Sequence, residues 1–208
     1  MSLEDQGFMA KALRLAENGR YSAHPNPCVG CVLVRRGNVV GEGFHMLAGQ
    51  GHAEANALAS AGIDALGSIA YVTLEPCSFH GRTPSCAHAL VDAGVTKVVV
   101  AMLDPDERNA GKGIQILREA GLEVVVPFME DAAQELLKGH VSRHTKHRPF
   151  VRLKLAMTLD GKTALSNGES RWITSPESRA DVQKLRAASG AIVTLSLIHI
   201  SEPTRLGM

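Results

Sequence analysis

A run of almost uninterrupted apolar residues, Val95–Leu103, constrains the fold of this chain more than any other feature. A strand of that composition is buried on both faces, which requires helices above and below its sheet. The run lies within an alternating series of segments that begins at residue 53. The series comprises predicted helices at Ala53–Ala61, Cys86–Ala93, Ile114–Ala120 and Glu130–His144, and predicted strands at Ile69–Leu74, Val95–Leu103 and Leu122–Val126. The pattern predicts a three-layer α/β/α domain.

The first fifty residues add a helix and a hairpin to this series. Ser2 can cap a first helix. The segment His24-Pro25-Asn26-Pro27 is predicted to be a rigid loop, because a residue before proline is restricted to extended geometry. Two β-rich runs, Val29–Val34 and Val39–Phe44, flank a turn for which Gly37 is well suited. With this hairpin, the predicted sheet is mixed.

The composition excludes several classes of function. Apolar residues make up 45% of the 208 positions, so the chain has enough apolar surface to fold and is not disordered. A net charge of +1 and an aromatic content of 4% argue against a nucleic-acid partner. No apolar run approaches the roughly 20 residues of a membrane helix. We find no export signal and therefore expect a cytoplasmic protein whose cysteines are thiols or metal ligands.

Four residues carry the candidate chemistry: His52, Glu54, Cys77 and Cys86. One imidazole and two thiolates suit a tetrahedral zinc ion, and three protein ligands leave its fourth position open for water. Glu54 lies at a predicted helix start, where a carboxylate can take a proton from that water and pass it to a leaving amine. The three ligands could instead be core residues or hold a closed structural zinc, although such a site needs a fourth ligand and has no use for Glu54.

The order of these residues matches the zinc deaminase signature, His-x-Glu followed by Pro-Cys-x-x-Cys. It departs from that signature because eight residues, rather than two, separate Cys77 from Cys86. The wider spacing is the pattern of the bifunctional riboflavin biosynthesis deaminase–reductases, and residues 22–113 resemble the deaminase half of that family. The resemblance is carried by His24-Pro25-Asn26-Pro27, Val29-Gly30-Cys31-Val32, Gly43-Phe44-His45, Gly51-His52-Ala53-Glu54 and Thr73-Leu74-Glu75-Pro76-Cys77-Ser78-Phe79-His80-Gly81-Arg82-Thr83-Pro84-Ser85-Cys86.

The resemblance implies a cytidine-deaminase-like fold and a phosphorylated pyrimidine substrate. In the family, 2,5-diamino-6-ribosylamino-4(3H)-pyrimidinone 5′-phosphate loses its ring 2-amino group as ammonia. The implied roles are zinc ligation by His52, Cys77 and Cys86, proton transfer by Glu54, pocket lining by Asn26 and His45, and phosphate binding by His80 and Arg82. Two alternatives stay open: another zinc deaminase that acts on a free nucleotide or base, and a zinc-stabilised domain without activity. The sequence also leaves homo-oligomerisation open.

Residues 149–194 resemble the opening of the family's second half, a dihydrofolate-reductase-like α/β domain that uses NADPH. The matching stretches are Lys154–Lys162, Ser170–Thr174 and Leu185–Thr194. The local pattern predicts strands at Phe150–Met157 and Ala191–Thr194, and a helix at Ser175–Ala187 with Ser175 as its cap and Pro176 at its first position. By this resemblance Ala156 and Trp172 fall at the dinucleotide, whereas Ser170 and Arg186 meet the substrate. NADPH is therefore expected only where a complete reductase domain is present.

The end of the chain departs from the family pattern after Thr194. Residues 195–208 resemble the translation of a transposase adapter used in sequencing libraries, so we expect them not to be native. We therefore predict three parts: a zinc-dependent deaminase domain at residues 1–147, a reductase fragment at 148–194 and a non-native tail at 195–208. The reductase activity of the family is not expected from such a fragment.

Three further patterns receive no predicted role in catalysis. Cys28 and Cys31 form a Cys-x-x-Cys pair, but they enter a strand, where their side chains should diverge. A trio of histidines among basic residues is predicted to be a solvated helix face. The trio is His140, His144 and His147. Gly111-Lys112-Gly113 precedes a helix and could hold an anion, although three residues are too few to identify a phosphate loop.

Two positions differ from the family pattern. Ser85 stands where the family usually has proline before the second cysteine, a change that we expect to be harmless. Asp104-Pro105-Asp106-Glu107 stands where many members have Asp-Pro-Asn-Pro, so a substrate contact from that asparagine is not predicted here.

Overall fold

The computed structural model of this chain describes residues 1–81 and 84–194. Two compact units divide at Arg152 and Leu153. The helices of the first unit are α1 (Leu3–Glu17), α2 (Ala53–Ala61), α3 (Cys86–Asp92), α4 (Lys112–Glu119), α5 (Glu130–Leu136) and α6 (Lys138–Lys146), with a short 3₁₀ helix at Gly62–Ala65. Its strands are β1 (Gly30–Arg35), β2 (Asn38–Phe44), β3 (Ile69–Val72), β4 (Lys97–Val100) and β5 (Glu123–Val125).

The five strands form one mixed sheet in the order β2-β1-β3-β4-β5. The β1–β2 hairpin and the β1–β3 pair are antiparallel, whereas β3, β4 and β5 run parallel. The hairpin turns at Arg36 and Gly37, both with positive φ, which matches the right-handed twist of the strands. Near the N-terminus of the chain, Ser2 accepts a hydrogen bond from the Asp5 backbone N–H and caps α1, as its position predicts.

Alternate residues along the strands are buried on opposite faces of the sheet. Leu33, Val72 and Val98 belong to a first apolar cluster that also contains buried residues of α2, α3 and α4. Val32 and Val99 belong to a second cluster that also contains buried residues of α1 and α5. Helices therefore cover both faces, and the predicted three-layer α/β/α fold with a mixed sheet is confirmed. Within the described residues, no helix combines the length and apolar character needed to cross a membrane.

The predicted helix Glu130–His144 is instead two helices that meet at Leu137. The backbone of Leu137, at φ −103° and ψ 21°, leaves helical geometry while its side chain is buried in the second cluster. The bend allows α6 to bring His140 and His144 to Asp104 and Asp106. Contacts with a distant loop therefore interrupt a segment whose own pattern is continuous.

The second unit contains one helix in its described part, α7 (Pro176–Ala187), which Ser175 caps by accepting a hydrogen bond from the Ser178 backbone N–H. The strands expected at Phe150–Met157 and Ala191–Thr194 are absent from this part. A strand needs a partner for its backbone groups and an apolar face to cover, and Leu153 and Leu155 are exposed instead. Residues 195–208, the predicted non-native tail, lie outside the described residues.

Helix α2 packs closely on β2 because Gly43 has no side chain. A Cβ atom at Gly43 would overlap the backbone oxygen of Ala53 and the backbone nitrogen of Ala57. We expect Gly43→Ala to lower the free energy of unfolding by at least about 2 kcal/mol, since the helix backbone must move. Urea unfolding measures this change.

The same substitution at Gly7 provides the control. Gly7 lies in α1 with no atom within 4 Å of its hypothetical Cβ. Gly7→Ala should stabilise the protein by about 0.5–1 kcal/mol, because alanine is the better helix former. A Gly43→Ala variant as stable as the parent protein would contradict the close packing of α2 on β2.

Candidate metal centre and active site

The site begins at the N-terminus of α2. His52 is the N-cap residue, with extended backbone angles of φ −71° and ψ 167°, and makes no side-chain capping bond. Glu54 lies in the first turn and is buried, with 3% of its surface exposed. Because α2 packs tightly on β2, both side chains start from a fixed backbone position.

The two cysteines reach the same place from a loop and from a second helix N-terminus. Cys77 lies in the loop after β3, and Cys86 is the first residue of α3. The Cys86 backbone N–H donates to Cys77 Sγ over 3.3 Å, and the Ala87 backbone N–H donates to the Cys77 carbonyl over 3.1 Å. The start of α3 therefore binds both the backbone and the sulfur of Cys77, where the helix dipole favours a thiolate.

The three candidate ligand atoms lie within 4.8 Å of one another. His52 Nδ1 is 3.6 Å from Cys77 Sγ and 3.3 Å from Cys86 Sγ. Tetrahedral zinc, with bonds of about 2.3 Å to sulfur and 2.0 Å to nitrogen, would place nitrogen and sulfur roughly 3.5 Å apart. The observed distances fit that geometry, and in the described part of the chain no other His, Cys, Asp or Glu group is arranged to hold a metal ion.

The electrostatic environment prepares one thiol to ionise. A hydrogen bond from the Cys86 side chain, and a further one from His52, lower the pKa of Cys77, and burial opposes them. The hydrogen bond with Cys77 and burial raise the pKa of Cys86. His52, hydrogen bonded to Cys77, has a raised pKa. Cys77 and Cys86 can thus share one proton until a cation displaces that proton.

Glu54 lies beside the ligands without being one of the three. Burial raises its pKa to about 7, with the nearby Cys77 contributing in the same direction. Its carboxyl group is also hydrogen bonded to Cys86. A carboxyl group that gains and loses a proton near neutral pH is suited to general acid–base chemistry.

Asn26 and His45 form a hydrogen-bonded pair next to this centre. His45 is buried, and its Nδ1 donates to the Gly51 carbonyl over 3.1 Å. Its Nε2 therefore accepts the hydrogen bond from Asn26 Nδ2, over 3.0 Å. Burial lowers the pKa of His45, which keeps the ring neutral. The ring lies edge-on to that of His52, with 5.3 Å between centroids.

The segment after Cys77 leads away from the metal centre to the surface. His80 is exposed, and Arg82 lies outside the described residues. Phe79 stacks against Arg108, whose guanidinium carbon is 5.4 Å from the ring centroid. Arg108 in turn donates to Asp106.

Sequence reasoning identified the histidines of α6 but not their partners. His140 Nε2 lies 2.9 Å from Asp104 Oδ1, and its side chain is 12% exposed. His144 Nε2 lies 3.9 Å from Asp106. The predicted solvated face is therefore wrong for these two residues. No local signal pairs them with aspartates some 36 positions away.

The candidate anion site at Gly111–Gly113 already holds an anion from the chain itself. The Glu75 carboxylate accepts hydrogen bonds from the backbone N–H groups of Gly111 and Gly113, both over 2.9 Å. Glu75 and its neighbour in this network, Asn109, are buried residues that the sequence did not single out. The position of Glu75 directly before Pro76-Cys77 is the one signal that could have identified it.

The remaining candidates do not contribute to the metal centre. Cys28 and Cys31 diverge as predicted, because Cys31 packs in the first apolar cluster and Cys28 against the second. In the second unit, Ser170, Trp172 and Arg186 are exposed, and Ala156 is half-buried. Arg179 lies 4.3 Å from the Trp172 ring centroid.

Comparison with known families and structures is consistent with this arrangement. Residues 2–102 match the family described as the cytidine and deoxycytidylate deaminase zinc-binding region. Residues 149–203 match the RibD C-terminal domain. The chain is similar to riboflavin biosynthesis protein RibD of Haemophilus influenzae, with 53% identity over 207 residues that cover 100% of this chain and 56% of that protein.

Solved structures give the same result. RibD of Acinetobacter baumannii is 54% identical, with a TM-score of 0.85 over 90% of this chain and 52% of the other. A Thermotoga maritima structure, named as a diaminohydroxyphosphoribosylaminopyrimidine deaminase/5-amino-6-(5-phosphoribosylamino)uracil reductase, is 39% identical, with a TM-score of 0.83 over 88% of this chain and 53% of the other. The chain spans about half the length of these relatives. These identities and structural matches show that the chain belongs to the family of riboflavin biosynthesis protein RibD.

Proposed function

We propose that this chain catalyses the zinc-dependent hydrolytic deamination of 2,5-diamino-6-ribosylamino-4(3H)-pyrimidinone 5′-phosphate, a step of riboflavin biosynthesis. The observation that carries the proposal is the convergence of His52, Cys77 and Cys86 at zinc-binding distances beside the buried carboxyl group of Glu54. A closed structural site would not need that carboxyl group. The similarity to the Thermotoga maritima protein, a diaminohydroxyphosphoribosylaminopyrimidine deaminase, supports the substrate.

The proposed chemistry divides between the metal and the protein. Zinc held by His52, Cys77 and Cys86 would supply Lewis-acid activation of a water molecule. Glu54 would accept a proton from the attacking water as the water oxygen bonds to the carbon that carries the 2-amino group. The π bond between this carbon and the ring nitrogen opens, and Glu54 passes the proton to that nitrogen. Glu54 then takes the proton of the new hydroxyl group and delivers it to the amino nitrogen, so that the carbonyl forms as the carbon–nitrogen bond breaks and ammonia leaves. A carboxyl group with a pKa of about 7 can perform these proton transfers.

Asn26 and His45 would orient the substrate. Neutral His45 accepts a hydrogen bond from Asn26 Nδ2, which fixes the direction of the amide and leaves Asn26 Oδ1 to accept from an amino group of the substrate. His80 and Arg82 remain the proposed phosphate contacts. NADPH and the reductase activity are not part of this proposal, because the described residues of the second unit form one helix and leave Trp172 71% exposed.

The proposal extends to the cellular setting. We infer a cytoplasmic enzyme, which the presence of four free cysteines supports. Its partner would be the small phosphorylated substrate rather than a nucleic acid or a membrane.

Ammonia release from this pyrimidinone phosphate by the zinc-loaded chain, without NADPH, tests the proposed reaction. We expect release that depends on zinc and on the 2-amino group of the substrate. Deoxycytidylate and guanine serve as comparison substrates. Faster release from either comparison substrate, or none from folded, zinc-loaded protein, would reject the proposed substrate.

A further inference from the structure

The backbone on both sides of Cys77 is bound by one buried side chain from a different segment. Asn109 Oδ1 accepts a hydrogen bond from the Ser78 backbone N–H over 2.9 Å. Its Nδ2 donates to the carbonyls of Pro76 and Glu75 over 3.3 and 3.5 Å. Asn109 has no exposed surface. One amide thus holds the residues immediately before and after the cysteine.

The Cys77 carbonyl is bound from the other side by the start of α3. Ser85 Oγ donates to this oxygen over 2.8 Å, in addition to the Ala87 backbone N–H. Asn109 and Ser85 together therefore bind consecutive peptide groups of residues 75–78. The Cys77 peptide cannot rotate without breaking these partly buried hydrogen bonds.

Asn109 is itself held rigidly. Its backbone N–H donates to the Asp106 carbonyl, and its own carbonyl accepts from Lys112, both over 2.9 Å. The Glu75 carboxylate binds the same loop by accepting from the Asp104 backbone N–H over 3.1 Å and from Gly111. The loop before α4 is thus fixed relative to Cys77 at several points.

We propose that Asn109 is a positioning residue that sets the direction of Cys77 Sγ towards the metal. The inference rests on the proposed function in taking Cys77 as a zinc ligand. Groups that orient a ligand typically contribute 10–100-fold to metal affinity, because a free ligand must be ordered when the ion binds. Asn109 touches neither metal nor substrate in this proposal and acts through the backbone of residues 76–78.

Cobalt titration of the full chain and of Asn109→Ala tests the proposal. Cobalt bound by thiolates absorbs strongly, so the titration reports both affinity and the number of sulfur ligands. We expect Asn109→Ala to bind Co²⁺ about 10–100-fold more weakly, with an altered thiolate absorption band. Val34→Ala is the matched control, since Val34 is buried in the second apolar cluster and pairs with Ile69 at the start of β3, whereas Cys77 follows the end of that strand. It should lose stability while keeping the affinity and spectrum of the parent chain.

Two results would overturn the positioning role. One is a folded Asn109→Ala variant whose cobalt affinity lies within about twofold of the parent chain. The other is an equal loss of affinity in Val34→Ala, which would attribute the effect to general destabilisation. If Asn109→Ala does not fold, Asn109→Ser replaces it and is judged by the same two comparisons.

The titration needs no substrate, so it separates this inference from the proposed reaction. A parent chain that binds cobalt through two thiolates but releases no ammonia would reject the reaction and leave the role of Asn109 to be decided by its own variant. A parent chain that binds no cobalt through Cys77 would reject both.

Discussion

Glu54→Gln should retain the metal and lower the rate of ammonia release by about 10²–10⁴-fold, the usual contribution of a general acid–base group. Glutamine matches glutamate in size but neither accepts nor donates the transferred proton. Burial already disfavours the charged form of Glu54, so a neutral amide should be tolerated in its place. Steady-state ammonia release, together with the zinc content of the purified variant, measures both parts of the prediction.

The control is Glu17→Gln, at the exposed end of α1, which should leave the rate unchanged. Zinc content separates two explanations of a slow Glu54→Gln variant. Full zinc occupancy with slow turnover supports proton transfer by Glu54. Turnover within about tenfold of the parent enzyme would remove Glu54 from the proposed mechanism, and loss of zinc would show that its carboxyl group supports the metal site instead.

Much of the first unit could be predicted because its segments carry strong local signals. Helix α2 occupies the predicted residues Ala53–Ala61, and the hairpin turns where Gly37 predicts it. His52 and Cys86 lie at the N-termini of α2 and α3, and Cys77 lies in the loop after β3. The ligand set could be identified before its geometry was known because one imidazole and two thiolates suit zinc and their order along the chain matches the zinc deaminase signature.

The features that the sequence did not predict depend on contacts between distant segments. The break at Leu137 lets α6 bring His140 and His144 to two aspartates of another loop, and these contacts are not visible in the local sequence. Likewise, the anion at Gly111–Gly113 is a side chain 36 or more positions earlier. A hydrogen bond between remote residues leaves no periodic signal in either segment.

In the second unit, local patterns predict the helix correctly but not the strands. The capping signal of α7 is complete within a few residues, and the helix forms as predicted. A strand at Phe150–Met157 has apolar residues of the right kind, but hydrogen bonds and burial must come from neighbouring strands. Helices satisfy their backbone groups internally, whereas strands do not, and this difference explains which predictions hold in residues 153–194.

The network around Glu75 provides the second large expected effect. Glu75→Gln should lower the free energy of unfolding by about 3 kcal/mol or more. Each carboxylate oxygen accepts from two backbone N–H groups, Oε2 from Asp104 and Gly111 and Oε1 from Gly113 and Ile114. A glutamine has one acceptor oxygen, so its NH₂ group faces either the buried donors of Gly113 and Ile114 or the partly buried donors of Asp104 and Gly111. Each unsatisfied donor costs roughly 1–3 kcal/mol, and the charge-assisted bonds are lost as well.

Urea unfolding of Glu75→Gln alongside Glu119→Gln measures this effect. Glu119 lies in α4 but is exposed, and its carboxylate accepts from the side chain of Gln115 over 2.7 Å. Its substitution should change stability by no more than about 0.5 kcal/mol, since an exposed group exchanges one partner for water. Equal stabilities of the two variants would mean that the α4 N-terminus does not depend on the buried carboxylate. A large loss confined to Glu75→Gln would show that the loop carrying Asn109 and the start of α4 are held in place by one charge two residues before a candidate zinc ligand.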